Sequence, residues 1–74
     1  MKNLVDFYKN KYFLQRVRLN AQGYDSSGRY CGIGKPLYAY ESAETYETRY
    51  VRSDSRAEAK DLIRMEVPEA RFFR

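Results

Sequence analysis

All four glycines of this chain, Gly23, Gly28, Gly32 and Gly34, fall between Asn20 and Lys35, together with its one cysteine, Cys31. Glycine weakens both helix and strand interiors, so no regular element is expected to run unbroken through this stretch. Everything regular must lie on either side of it. The stretch itself has to be a connection with turns, and the pattern inside it says where. Asp25-Ser26-Ser27-Gly28 has the composition of a type I turn closed by a left-handed glycine. A first strand could reach it through Tyr24, and Arg29-Tyr30 would begin the return. Gly32, Gly34 and Pro36 then predict an irregular bend before the next strand.

Before the glycines, Tyr12–Asn20 alternates, with Phe13, Gln15, Val17 and Leu19 on one side and Leu14, Arg16, Arg18 and Asn20 on the other. A period of two is that of a half-buried strand. After them, Leu37–Glu41 and Tyr46–Arg52 read as two more strands, joined by a turn at Ser42–Glu44. Ser55-Arg56-Ala57-Glu58 is a capping box that opens a helix, and Pro68 closes it near Glu66 or Val67. Ala59, Leu62 and Ile63 are its apolar stripe, with Glu66 at the wet edge. Ala70–Arg74 is long enough for a terminal strand. At the other end, Leu4, Phe7, Tyr8 and Lys11 have the spacing of a short helix over residues 2–11. The expectation is a single α+β domain over residues 1–74. It has a three- to four-stranded antiparallel sheet with one helix packed on one face, in the order α-β-β-β-α-β.

One helix leaves the second sheet face to water or to a partner, which antiparallel sheets tolerate. The alternation predicts Val17, Leu19, Leu37, Ala39, Tyr46, Tyr50 and one terminal Phe under the helix. Arg16, Arg18, Tyr38, Tyr40, Glu47 and Arg49 then stand on the open face. Arginine beside tyrosine on strands is how sheet-type binders meet phosphates and stack bases. The same residues also fit a plain solvated face on which Arg18 and Arg49 pair with Glu47. The pattern leaves the register open, and a slip of one residue exchanges the faces.

Size and charge limit the functions available. A chain of 74 residues buries roughly 60% of its unfolded surface, which leaves little material for a deep catalytic cleft. The net charge of +4 is uneven: residues 1–35 hold seven Lys/Arg against Asp6 and Asp25, whereas residues 36–74 hold seven against eight Asp/Glu. The basic half is the half with the glycines, which makes an anionic partner plausible. Histidine is absent, removing the usual general base and the commonest metal ligand. A single cysteine makes no internal disulfide. Met1–Tyr12 has no apolar run of signal-peptide length, and no segment is apolar enough to span a membrane. A cytoplasmic protein with no membrane partner is expected.

Gly32-Ile33-Gly34-Lys35 invites a phosphate-loop reading and fails it. Gly28 to Gly34 encloses five residues where the Walker pattern has four, and Pro36 stands where Ser or Thr must hold magnesium. The segment also leads into a strand, so no helix N-terminus follows to receive phosphate. Backbone N–H groups there could still form an anion nest with Arg29 and Lys35. Cys31 has no histidine to activate it, Asp25 with Ser27 is too sparse for a calcium loop, and Glu41, Glu44 and Glu47 surround a hairpin as solubilising groups. No catalytic residue, metal or cofactor is expected.

The run Gln22–Tyr38, with Ser55-Arg56-Ala57-Glu58-Ala59-Lys60 and Pro68-Glu69-Ala70-Arg71-Phe72, resembles small uncharacterised open reading frames of bacterial viruses and mobile elements. The resemblance covers residues 15–74 and carries no known binding residues. It implies a viral accessory protein of a bacterial host cell, a class that includes anti-CRISPR and other counter-defence inhibitors. The functional expectation is a non-enzymatic inhibitor docking on a host nucleic-acid-handling, CRISPR-like complex. Its binding residues would be Arg16, Arg18, Tyr24, Arg29, Tyr30, Lys35, Tyr38, Tyr40 and Arg49. The alternatives are direct nucleic-acid binding, with Tyr38 and Tyr40 stacking bases, and a small virion or structural protein. The oligomeric state stays open.

Overall fold

Alternating residues, one capped helix and a proline stop organise the chain as the pattern implies. The computed structural model describes residues 7–73. Strands β1 (Lys11–Val17), β2 (Leu37–Ser42) and β3 (Thr48–Arg52) are followed by helix α1 (Arg56–Glu66) and a short strand β4 (Arg71–Phe72). The sheet order is β3-β2-β1-β4. β1 and β2 are antiparallel, as are β2 and β3, but β4 lies parallel to β1, with Lys11 opposite Arg71 and Tyr12 opposite Phe72. The sheet is therefore mixed, which corrects the antiparallel expectation. The reason is the crossover. Two hairpins make β3 run the same way as β1, and a strand that follows a helix crossing back over the sheet repeats the direction of the strand before it.

At the N-terminal end Phe7 and Tyr8 are helical, the chain turns at Lys9–Asn10, and Lys11 opens β1 instead of continuing the helix. Asn10 takes a φ of 55°, a left-handed conformation that asparagine tolerates better than most residues. Residues 2–6 of the expected helix, with Leu4, lie outside the described residues, as does Arg74 of the expected terminal strand.

Helix α1 begins as the sequence implies: the Ser55 side chain accepts from the Glu58 N–H at 3.1 Å. The reciprocal half of the capping box is replaced, because the Ser55 N–H turns to Ser53 Oγ at 3.4 Å. Ser53 is fully buried, donates from Oγ to the Ser55 carbonyl and from its N–H to the Pro36 carbonyl, and so ties the helix entry to the start of β2. At the other end the Val67 N–H closes on the Ile63 carbonyl. Ala59 and Ile63 are buried, while Leu62 is only half-buried.

The core joins Leu14, Tyr38 and Tyr40 of the sheet to Ala59, Ile63 and Ala70, with Tyr12, Val51, Val67 and Phe72 packed around them. Leu14 faces Tyr40, Arg16 faces Tyr38, and across β2 Tyr38 faces Val51 and Tyr40 faces Arg49. The helix thus covers the face expected to be open. Tyr38 and Tyr40 are only 6% exposed each. The small Ala59 and Ala70 surfaces leave room for their large rings, which bury more apolar area than Leu37 and Ala39 could. Of the residues expected beneath the helix, Val17, Ala39 and Tyr50 belong to the other face. Leu19 lies beyond β1, and Tyr46 sits in the β2–β3 turn with a φ of 64° and its side chain exposed. Leu37 is buried, though not by the helix.

Candidate functional site

The cover over Leu37 is the glycine-rich connection, which folds back onto the second sheet face. Two consecutive turns of identical construction build its first half. In Asn20–Tyr24, the Asn20 N–H donates to the Tyr24 carbonyl, the Gly23 N–H returns to the Asn20 carbonyl, and Asn20 Oδ1 accepts from the N–H groups of Gln22 and Tyr24. In Asp25–Arg29 the same set recurs: Asp25 N–H to Arg29 carbonyl, Gly28 N–H to Asp25 carbonyl, and Asp25 Oδ1 accepting from Ser27 and Arg29 N–H. Both glycines have a φ of +88°. The pentapeptide pattern Asn/Asp-x-x-Gly followed by a large side chain occurs twice in register, a signal that single-turn reading missed. Ser27 Oγ adds a 2.7 Å hydrogen bond to Asp25 Oδ1. That bond and the Arg29 N–H hold the Asp25 carboxyl below its ordinary pKa.

The turns bring Tyr24 and Tyr30 together as a single antiparallel bridge, with ring centroids 5.2 Å apart. Here β1 has already ended at Val17, so the first strand does not reach Tyr24. Beyond the bridge, the Cys31 N–H donates to the Gly23 carbonyl at 2.7 Å. Gly23 is packed so closely on Gly32 that an added Cβ would lie 2.7 Å from its backbone.

The second half of the loop is the reverse of an anion nest. Its carbonyls point inward, and the Arg52 guanidinium of β3 fills the space. Arg52 donates to the carbonyls of Cys31 at 2.5 Å, Gly32 at 3.0 Å and Lys35 at 2.7 Å. The guanidinium packs against Gly32 and Gly34, where a Cβ would sit 3.4 to 3.5 Å from its nitrogens, an ordinary contact; what calls for glycine at both is the positive φ, +89° and +150°. The expected nest of backbone N–H groups with Arg29 and Lys35 is not formed. Arg29 instead lies over the Tyr50 ring and donates to its hydroxyl at 3.4 Å, and Lys35 pairs with Asp54 at 3.3 Å.

At the other end of this sheet face stands an aromatic row that the sequence reading did not single out. Phe13 and Phe73 stack with centroids 4.2 Å apart and planes 7° from parallel. The Lys11 ammonium lies 4.4 Å from the Phe73 centroid and 4.2 Å from that of Phe7. Phe13 belongs to the same alternation as Lys11 and Gln15, so placing Leu14 inside would have exposed it.

The predicted binding residues therefore divide. Tyr24, Arg29 and Tyr30 are exposed on the loop and stand together with Tyr50. Arg16, Arg18 and Lys35 line one groove with Arg52. Tyr38 and Tyr40 are corrected: both are core residues and present no free ring face. Burial and the nearby Glu66 charge raise the Tyr40 pKa. Arg49 lies on the helix side of the sheet, opposite Tyr40, and bonds Glu47 at 2.6 Å. Among the described residues, no cluster of cysteine and carboxylate groups is placed to hold a metal ion, and no helix is long and apolar enough to cross a membrane.

No family model, curated protein or solved structure matches the chain. The site itself is therefore read from the chemistry of the loop and the sheet face.

Proposed function

We propose that this protein is a non-catalytic docking module that binds another protein through the face opposite helix α1. The observation that carries the reading is a set of six large aromatic side chains on that face and its loop. Phe7, Phe13, Phe73, Tyr24, Tyr30 and Tyr50 are each 38% to 62% exposed. Aromatic and arginine side chains dominate interface energetics because they bury much area with few rotatable bonds. A standard interface takes about 800 Å² from each partner, within reach of a chain this small. The partner class follows from the basic N-terminal half and from the resemblance to viral open reading frames: a host nucleic-acid-handling complex, with this chain as its inhibitor in the bacterial cytoplasm.

The test is capture of the partner by the tagged protein from host extract, repeated with two surface variants and one control. Arg29→Ala with Tyr30→Ala, and separately Phe13→Ala, are expected to lose most of the captured protein. Met65→Ala, on the exposed side of α1, is expected to retain it. Equal capture by all four proteins would remove the face from the reading.

A further inference from the structure

Beside the aromatic face, between the end of β1 and the second half of the glycine loop, lies an open groove of about 770 Å³. Arg16, Arg18, Lys35 and Arg52 line it, and none of its lining residues is acidic. Arg16 and Arg18 are exposed, and no described carboxylate pairs with either. Lys35 reaches Asp54, which lies outside the groove, through a pair whose side chains are 58% and 64% exposed. A pair so exposed contributes little and exchanges readily for another anion. Arg52 is held by three loop carbonyls, which engage three of its five N–H donors and leave its charge in place. Four cations thus border one concavity whose lining holds no acidic residue, Arg52 from the second sheet face and Arg16 from the unpaired edge of β1, on Tyr38's side of the sheet.

We infer that this groove binds the phosphate backbone of a single-stranded nucleic acid. Concentrated positive charge in a concave channel attracts a polyanion. What favours an unpaired strand is the adjoining loop. Gly23 and Gly32 are in the groove wall, and the residues that follow one and lead to the other carry the exposed rings of Tyr24 and Tyr30. Bases freed from pairing can stack on such rings, whereas bases within a duplex cannot. The site is distinct from the Phe13–Phe73 row, and its existence does not depend on the protein-docking reading.

The experiment is fluorescence anisotropy of the full chain with a labelled oligothymidylate. With one phosphate per groove cation, raising salt from about 50 to about 200 mM weakens binding roughly 50-fold, from a log–log slope of about −0.7 per phosphate. Arg16→Ala with Arg18→Ala halves that slope, so the same salt step costs only about 7-fold. Arg16→Lys with Arg18→Lys restores the slope, which a merely structural role for these side chains would not require. Tyr30→Ala weakens binding about tenfold by removing a stacking surface. Phe13→Ala leaves oligonucleotide binding unchanged, and the Arg16/Arg18 double variant leaves protein capture unchanged, so the two readings fail separately. Absence of binding at low salt overturns the inference. So does an unaltered slope in the alanine double variant, tighter binding to a duplex of the same length, or equal competition by polyglutamate.

Discussion

Gly23 and Gly28 share a backbone φ of +88° but not their surroundings, and the pair isolates what close packing contributes to the loop. A Cβ at Gly28 would meet nothing within 4 Å. Gly28→Ala therefore carries only the left-handed backbone cost of a non-glycine residue, about 1–2 kcal/mol. A Cβ at Gly23 would lie 2.7 Å from both the carbonyl carbon and oxygen of Gly32. Those are backbone atoms, which cannot rotate away, so the two strands of the loop must separate. Separation also breaks the 2.7 Å hydrogen bond from Cys31 to Gly23, a further ~1 kcal/mol. Gly23→Ala is expected to cost about 2–4 kcal/mol in the stability of the loop, at least 1 more than Gly28→Ala. The loop can open without global unfolding, so the assay is native-state hydrogen exchange at the Cys31 N–H, with urea unfolding alongside. Equal loss of Cys31 protection in both variants would refute the packing argument, because it would leave backbone conformation as the whole effect. Gly28→Asn, which tolerates the left-handed region, should lie near wild type in the same assay.

Other outcomes follow from the same geometry. Ile63→Ala removes a side chain only 1% exposed at the centre of the core and should cost about 2–5 kcal/mol in urea unfolding, enough to unfold much of so small a chain. Ser55→Ala removes the helix cap, at about 1 kcal/mol by thermal or urea melting. Arg52→Met withdraws the donors from three loop carbonyls, so amide exchange across Gly32–Lys35 should quicken while the helix stays protected. Asp25 has a folded-state pKa below its unfolded one, so its hydrogen bonds support the turn fully above the ordinary carboxylate range and weaken as pH falls through the lowered value. Amide shifts of Ser27 and Arg29 followed down in pH should report that titration, and Asp25→Asn should abolish it.

Local chemistry made several features legible. The Ser55 cap, the Pro68 stop and the Asp25–Gly28 turn with its left-handed glycine were readable because each depends on a few neighbouring residues and on backbone sterics. The loop residues Tyr24, Arg29 and Tyr30 came from the same source: a turn at that place must hold its flanking side chains out. Arg52 was not legible as the filling of the loop, since its three acceptors lie seventeen to twenty-one residues away along the chain. Nor was the Phe13–Phe73 stack, which joins β1 to the residue just past β4, from opposite ends of the sequence.

The two sheet faces show where sequence reasoning reaches its limit. Alternation establishes that Leu14 and Phe13 point in opposite directions, and likewise Tyr38 and Ala39, because a strand's side chains change side at every residue. It does not say which set meets the helix, since both sets contain apolar residues and arginine. That choice was made by packing: Ala59, Ile63 and Ala70 form a shallow surface that accepts the rings of Tyr38 and Tyr40. Burying those rings turned Phe13 and Tyr50 outward and left the second face to the glycine loop. The elements and their turns are properties of short stretches of chain, whereas the identity of the exposed face is a property of how α1 and the sheet fill the space between them.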